Sequence, residues 1–500
     1  MSYEVVVVGA GVGGLTAAAL LAARGVKVCL IERGSSAGGC VRALERSGHQ
    51  FEPGAGLYAS WQSDGIHERV FAELPVAPPE VREAAPSYSV RLPDSTDISV
   101  DGSDADFEAR LKEFFPECAD RAVSFYRNAT LVGDAVCRAA RNVPDLPHAT
   151  RLQRLKLLTA EARVAPRILA GLKQTAAHYL QDTSPRFRRF VDAQLQIFAQ
   201  RTSDECAYLY AAVALSVARR GMHAIRGGAS ALAELLIEAV IKSGGTVRFD
   251  TPALRLAYDS RGDAVGVTLL SGETVNASRA IISNLTVWDT YGKLVGLSRT
   301  PPAVRARLKA LRGRGAYLLY LSADDEALER LPGERILALI EWQEERRFDP
   351  ENCLLMFSAA PAWDARAPAG RRAVTISTFT DAEQWFAFHE DEEEHERQDQ
   401  TSLEMWWERL HAALPELGAG VEVIETATPR TFYEATRRKL GMVGGVGQSL
   451  DVFGSNSLTY RIAAVPNLFM VGDTIFPGQG VAAVTHSALV VANAIAPPIR

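Results

Sequence analysis

The first thirty-two residues leave this chain little choice of fold. Glu4–Val8 is an apolar, Val-rich run, short enough for a buried parallel strand. Gly9-Ala10-Gly11-Val12-Gly13-Gly14 follows, then the helix-period run Leu15–Arg24, closed by Gly25. A second apolar run, Val26–Ile31, ends on Glu32. A GxGxxG turn between strand and helix, with an acid 23 residues after the first glycine, predicts a dinucleotide-binding unit. Gly9 allows the tight turn, Gly11 lets the backbone approach a pyrophosphate, and Gly14 lets the helix pack on the strand. The helix start at Val12 and Gly13 offers free N–H groups and a positive dipole end to the phosphates. Glu32 can accept hydrogen bonds from both hydroxyls of an adenosine ribose.

After Glu32 the chain runs Arg33-Gly34-Ser35-Ser36-Ala37-Gly38-Gly39. With this second glycine pair the N-terminus resembles the two-dinucleotide-fold flavoproteins, whose pattern continues from the acid to a pair that passes close to FAD. The resemblance implies FAD as cofactor and adds Arg33, Gly38, Gly39, Cys40 and Arg42 to its site. Members of that group usually carry Arg or Lys directly after the pair, where this chain has Cys40, with Arg42 two residues on. Phe51-Glu52-Pro53-Gly54-Ala55-Gly56 reads as a strand ending in a glycine turn. Flavoproteins of this type bring such a turn back beside the cofactor, which adds Gly54. No His or Cys is placed as a flavin tether, so the FAD is expected to be non-covalent.

Composition narrows the function classes. Five hundred residues suggest two or three domains, and 47% hydrophobic with 23% charged residues is the balance of a soluble globular protein. A net charge of −6 argues against a nucleic-acid partner. The six cysteines are scattered without CxxC or a metal-type spacing, and read as reduced thiols. Only three residues precede the first strand, and no apolar run reaches 18, so neither a signal peptide nor a membrane span is expected. The localisation that follows is cytoplasmic, with peripheral contact on the inner face of a membrane as an addition. His389–Glu396 carries six acids between and beside two histidines, and reads as a solvated helix face, so no metal is expected.

The predicted fold class is α/β: a Rossmann-like FAD-binding domain with an inserted mixed sheet and a helical substrate or cap domain. The FAD-binding domain is split over 1–75, 222–285 and 455–500, with a helical cap at 76–221 and a substrate-binding domain at 286–454. Within the cap, Arg151–Lys173 holds six Lys/Arg and one acid around a leucine stripe at helical spacing, with Pro166 set to start a new helix. Either the stripe faces the core, or the segment lies on an anionic membrane surface. The block 222–285, a helix followed by a meander, resembles the FAD-binding middle segment of the amine oxidase and phytoene desaturase superfamily. It implies Ala253 as a cofactor contact, although Ala224-Ile225 stands where that superfamily commonly has Tyr-Pro.

The second strong signal is C-terminal. Asn467–Val471 reads as a strand, Gly472-Asp473 ends it, and Pro477-Gly478-Gln479-Gly480 leads into an apolar helix from Val481. In FAD enzymes of this type Asp473 would accept from the ribityl chain. Gly480 and Val481 would point the helix at the flavin, where its dipole stabilises negative charge. With Thr428–Phe432 and Gly441–Gly445, this ending resembles the phytoene desaturase and carotenoid isomerase group, including the retinol saturases, over nearly the whole chain. The resemblance implies a long apolar polyene as substrate. Desaturation by hydride transfer to flavin N5 comes first, with oxygen or a quinone as electron acceptor. Redox-neutral isomerisation on reduced flavin and saturase-like reduction are the alternatives, ahead of an amine oxidase or a non-enzymatic prenyl-binding escort. No catalytic base is legible, and Glu52, Phe476 and Gln479 are the residues assigned to the substrate side.

Overall fold

Residues 2–340, 348–387, 391–462 and 464–498 are described in this computed structural model. Strand β1 (Ser2–Val8) turns at Gly9–Gly11 into helix α1 (Val12–Ala23), and β2 (Val28–Ile31) lies parallel to β1. The helix starts three residues earlier than its hydrophobic period implies, because packing overrides the low helix propensity of Gly13 and Gly14. β2 starts two residues later than expected, at Val28. Val26 is taken up in the cap of α1, where its N–H donates to Leu21 O and that of Gly25 to Ala22 O.

A short helix α2 (Ile66–Phe71) precedes the helical block α3 (Ala119–Asn142), α4 (Arg151–Ala160), α5 (Ala165–Gly171), α6 (Pro185–Ala199) and α7 (Tyr208–Arg219). Its core is aromatic, with Phe115, Phe125, Tyr126, Phe187 and Phe190 in mutual edge and tilted contacts. That core is complete without α4. The leucine stripe read as core-facing points outward instead: Leu152, Leu155, Leu169 and Leu172 are 63%, 59%, 52% and 46% exposed, and α4 buries no residue. Pro166 does stand at the start of α5.

Helix α8 (Gly228–Lys242) leads into β3 (Thr246–Arg248), β4 (Ala253–Tyr258), β5 (Ala264–Leu269) and β6 (Thr274–Ser283). The first sheet has the order β4-β5-β6-β1-β2-β3. β6 is its hub: it runs parallel to β1, meets β5 antiparallel at Thr274–Asn276, and meets β7 (Leu468–Met470) parallel at Ile281–Ser283. Helix α9 (Pro429–Thr436) comes before β7, and α10 (Val481–Ile495) after it. α1 is buried on nearly every face because α8 and α10 flank it, and its alanines allow close approach.

A second seven-stranded sheet has the order Val421–Ala427, Gly315–Asp324, Arg371–Thr380, Leu354–Ala359, Arg335–Leu339, Ser89–Arg91, Asp97–Ser99. The stretch 76–221 therefore contributes strands to this sheet as well as the helical block. His389 lies outside the described residues. Asp391 caps the helix Glu392–Ala413, whose first-turn acids Glu392, Glu393 and Glu394 complement its dipole. Among the described residues no three His, Cys, Asp or Glu side chains converge as metal ligands, and no helix is long and apolar enough to cross a membrane.

Candidate active site

The carboxyl ends of β1, β2 and β6 meet at a cavity of about 220 Å³. Its wall brings together Gly9, Gly11, Glu32, Arg33, Gly39, Cys40, Arg42 and Ala253. Glu32 is fixed by the backbone: its Oε2 accepts from Ala10 N and its Oε1 from Gly34 N, both at 2.8 Å. A Cβ on Gly14 would stand 2.2 Å from Gly9 O, so only glycine lets α1 sit this close to the turn. Gly38 lies behind the wall and donates from its N–H to Ala10 O. Val12 and Gly13 form the buried first turn of α1, with Gly472 packed against Gly13. Asn284 is a wall residue that motif reading missed. It follows β6, and its Nδ2 lies 3.4 Å from Gly9 O.

Asp473 opens onto neither cavity. Its Oδ2 accepts from Arg438 Nη2 at 2.8 Å. The Thr428–Phe432 and Gly441–Gly445 elements hold that arginine. Thr428 and Thr431 form a capping box at the start of α9, and Arg437 ends the helix in the left-handed region. Arg438 Nε then donates to Met442 O at 2.8 Å. Gly445 lies so close to Asp473 that a Cβ would be 2.1 Å from Asp473 O. Arg438 lies beside Cys40 and in the cavity wall, so it brings to this point the positive charge that position 40 lacks. Burial nevertheless pushes the Cys40 thiol up. Nothing in the spacing of Arg438 marks it, because its partner lies 35 residues on.

A larger cavity of about 540 Å³ runs between the helical block and α10. Leu57, Val136, Phe198, Tyr210, Phe453 and Phe476 give it an apolar wall, and Gly480 and Val481 put the start of α10 in it. Gly480 has φ +93 and no side chain caps α10, leaving its first N–H groups free of side-chain partners. Gln479 is in the wall but tied down: Nε2 donates to Ile197 O, and Oε1 accepts from Gln200 Nε2 at 3.1 Å. Burial holds the Tyr210 phenol well above its ordinary range, so it stays protonated. The carboxylate in the wall, Asp64, is paired with Arg141 at 2.9 Å.

Glu52 and Gly54 line neither cavity. Glu52 accepts from Ala229 N at the start of α8 and from Arg366 Nη1, each at 3.2 Å. Phe476 and Gln479 thus share the larger cavity, while Glu52 sits between the two sheets.

The family described as NAD(P)-binding Rossmann-like domain matches residues 7–74. Over 99% of its length the chain is 25% identical to a chloroplastic prolycopene isomerase of Arabidopsis thaliana, covering 83% of that protein. It is also 25% identical to the all-trans-retinol 13,14-reductase of Homo sapiens, over 98% of this chain and 85% of that one. An oxidoreductase structure from Methanosarcina mazei superimposes with a TM-score of 0.63 at 16% identity, covering 97% of this chain and 99% of the other.

Proposed function

The chain belongs with the carotenoid isomerase and desaturase family of oxidoreductases, and on that premise we propose that it holds FAD non-covalently and acts on a conjugated, largely apolar polyene. The donor set fits that cofactor. Glu32 suits the adenosine ribose, the free N–H groups of α1 suit a pyrophosphate, and Arg438 adds a cation beside them. The larger cavity offers a second helix start, at Gly480 and Val481, to a ring that gains negative charge on reduction. Bound FAD supplies hydride acceptance and donation at N5. The protein's own part is to exclude water, to hold the polyene along an apolar wall, and to keep the Tyr210 hydroxyl protonated there.

One observation carries this reading: the cavity that reaches the start of α10 is apolar, and the carboxylate in its described wall is already paired. That wall suits a hydrocarbon chain better than an amine. An intact dinucleotide cavity likewise favours a working enzyme over an escort protein.

Three outcomes at the double bond are open to such a flavoenzyme. Thr428–Phe432 and Gly441–Gly445 have a structural task in presenting Arg438 to Asp473, so they favour none of the three. The relatives are an isomerase and a reductase, so chemistry that starts from reduced flavin comes first and desaturation second. The purified protein, photoreduced without oxygen, is given a cis-polyene and the products are separated. Many turnovers of trans product mean isomerisation, and about one equivalent of saturated product means reduction. A new double bond, formed only with oxidised flavin and a quinone, would restore desaturation. A protein that binds no flavin would overturn the proposal. The exposed leucines and basic residues of α4 and α5 add a proposed peripheral contact with an anionic membrane, from which such a substrate would come.

A further inference from the structure

A phenol stands beside the start of α10. Tyr210 is the third residue of α7, and its ring meets Phe453 edge-on in the wall of the large cavity. Gly478 lies against its hydroxyl: a Cβ built there would be only 3.3 Å from Tyr210 Oη. Gly480, where α10 starts, is two residues on, within about 7.6 Å of Gly478 at 3.8 Å per Cα step. Gln448 Nε2 flanks the same glycine, 3.0 Å from that Cβ position, but it donates to Val446 O. The Tyr210 hydroxyl makes no hydrogen bond among the described residues. A desolvated hydroxyl without a partner is unfavourable, and phenylalanine would fill the same ring space, so packing gives no reason for the oxygen.

Other polar groups of this wall are committed or lie elsewhere. Gln479 is tied to Ile197 and Gln200, Asp64 to Arg141, and Arg220 to Asp134. His486 directs Nε2 at Pro144 O at 3.2 Å, and burial keeps its ring neutral. On the side of α2, Gln62 Oε1 is a buried acceptor without a partner, and Arg69 is a cation that does not give up its proton. Ser60 and Ser63 precede α2, and Cys137 belongs with the charged Arg220, Asp134 and Arg141. Tyr210 is thus the proton-bearing group at the start of α10.

Reducing a polyene double bond takes a hydride on one carbon and a proton on its neighbour. The neighbour then carries carbanion character and is a far stronger base than a phenolate. A phenol protonates it downhill even where burial has raised the phenol's pKa, whereas so weak an acid does not turn a neutral polyene into a cation. We infer that Tyr210 is the proton donor of a polyene reduction, its O–H bond breaking as a C–H bond forms beside the carbon that takes the hydride. The two electrons come from reduced flavin, and water entering the cavity returns a proton to the phenolate.

The inference rests on the flavin and polyene reading above and names the group that completes it. Y210F keeps the ring and removes only the oxygen. Wild type and Y210F, photoreduced without oxygen, are given all-trans-retinol or all-trans-lycopene in detergent. Flavin reoxidation is followed by absorbance and the products are separated. With at least one of the two probes the wild type should give about one equivalent of saturated product, and Y210F should form it about 100-fold more slowly. A hydride that meets no proton can return, so Y210F should instead scramble cis and trans forms of the recovered polyene. Its flavin spectrum, and its affinity for either probe with the flavin oxidised, read by tryptophan quenching, should match the wild type. Saturation by Y210F at the wild-type rate, a loss explained by weaker binding alone, or a wild type that only isomerises would each overturn the proton donor and leave the flavin and polyene reading standing. A wild type that binds no flavin, or neither probe, would overturn that reading and this one with it.

Discussion

Both carboxylate oxygens of Glu32 accept backbone N–H groups, so the side chain is already oriented for a ribose. Glu32→Ala removes hydrogen bonds to a charged group, each worth about 1.5–3 kcal/mol. FAD affinity, measured by fluorescence titration, should fall about 10- to 150-fold. Tight nicotinamide dinucleotide binding with no flavin binding would refute that expectation. Arg438 makes a different case. Arg438 and Asp473 are mostly buried, so Arg438→Met leaves an uncompensated carboxylate and should cost about 3 kcal/mol in urea unfolding. Unchanged stability would mean that Asp473 finds another partner. Glu32 stood out because one local motif contains both acid and glycines. Arg438 did not, because its partner is set by tertiary packing.

At the scale of elements, α4 and α5 hold their leucines outward beside basic residues. Binding to anionic vesicles should be measurable by sedimentation. It should weaken with salt, since exposed charges are screened over roughly 8 Å at physiological ionic strength. Leu152→Ser with Leu155→Ser should weaken it further. Failure to sediment at any salt would leave the stripe without a partner of this kind. In α2, His67 is buried and stacked on Trp61 at 4.1 Å, and burial pushes its pKa from 6.5 down to about 3. The unfolded chain therefore takes up this proton near 6.5, whereas the folded one resists it. Stability present at pH 7 is lost as pH falls through 6.5 toward 3. His67→Phe keeps the stack and should flatten the fall of Tm between about pH 7 and pH 4. An unchanged acid slope would show that other groups carry it.

Across the whole molecule, Glu52 joins the two sheets. It reaches the start of α8 through Ala229 and the second sheet's side through Arg366, and its backbone O accepts from Thr375 Oγ1 at 2.9 Å. Arg366 keeps Asp364 and Ile225 O as partners, so Glu52→Ala should cost about 1.5–3 kcal/mol with flavin content unchanged. Loss of turnover at full stability and full flavin content would make Glu52 a catalytic residue instead.

The nucleotide unit is legible in the residues alone. GxGxxG, the following acid and the helix period are local, and they need no distant partner to specify a parallel strand–helix–strand fold. So is the start of α10, where glycine and an apolar run specify a helix start with free N–H groups. Three further features depend on packing between distant segments, and the fold sets each of them. It turned the leucine stripe of α4 outward, because the aromatic core beneath is closed without it. It gave Glu52 an arginine from a distant segment, 314 residues on. It also set Tyr210 against Gly478, although 268 residues separate them in the chain. Periodicity tells which face of a helix is apolar. What covers that face, or stays off it, depends on which distant segments have already filled the core.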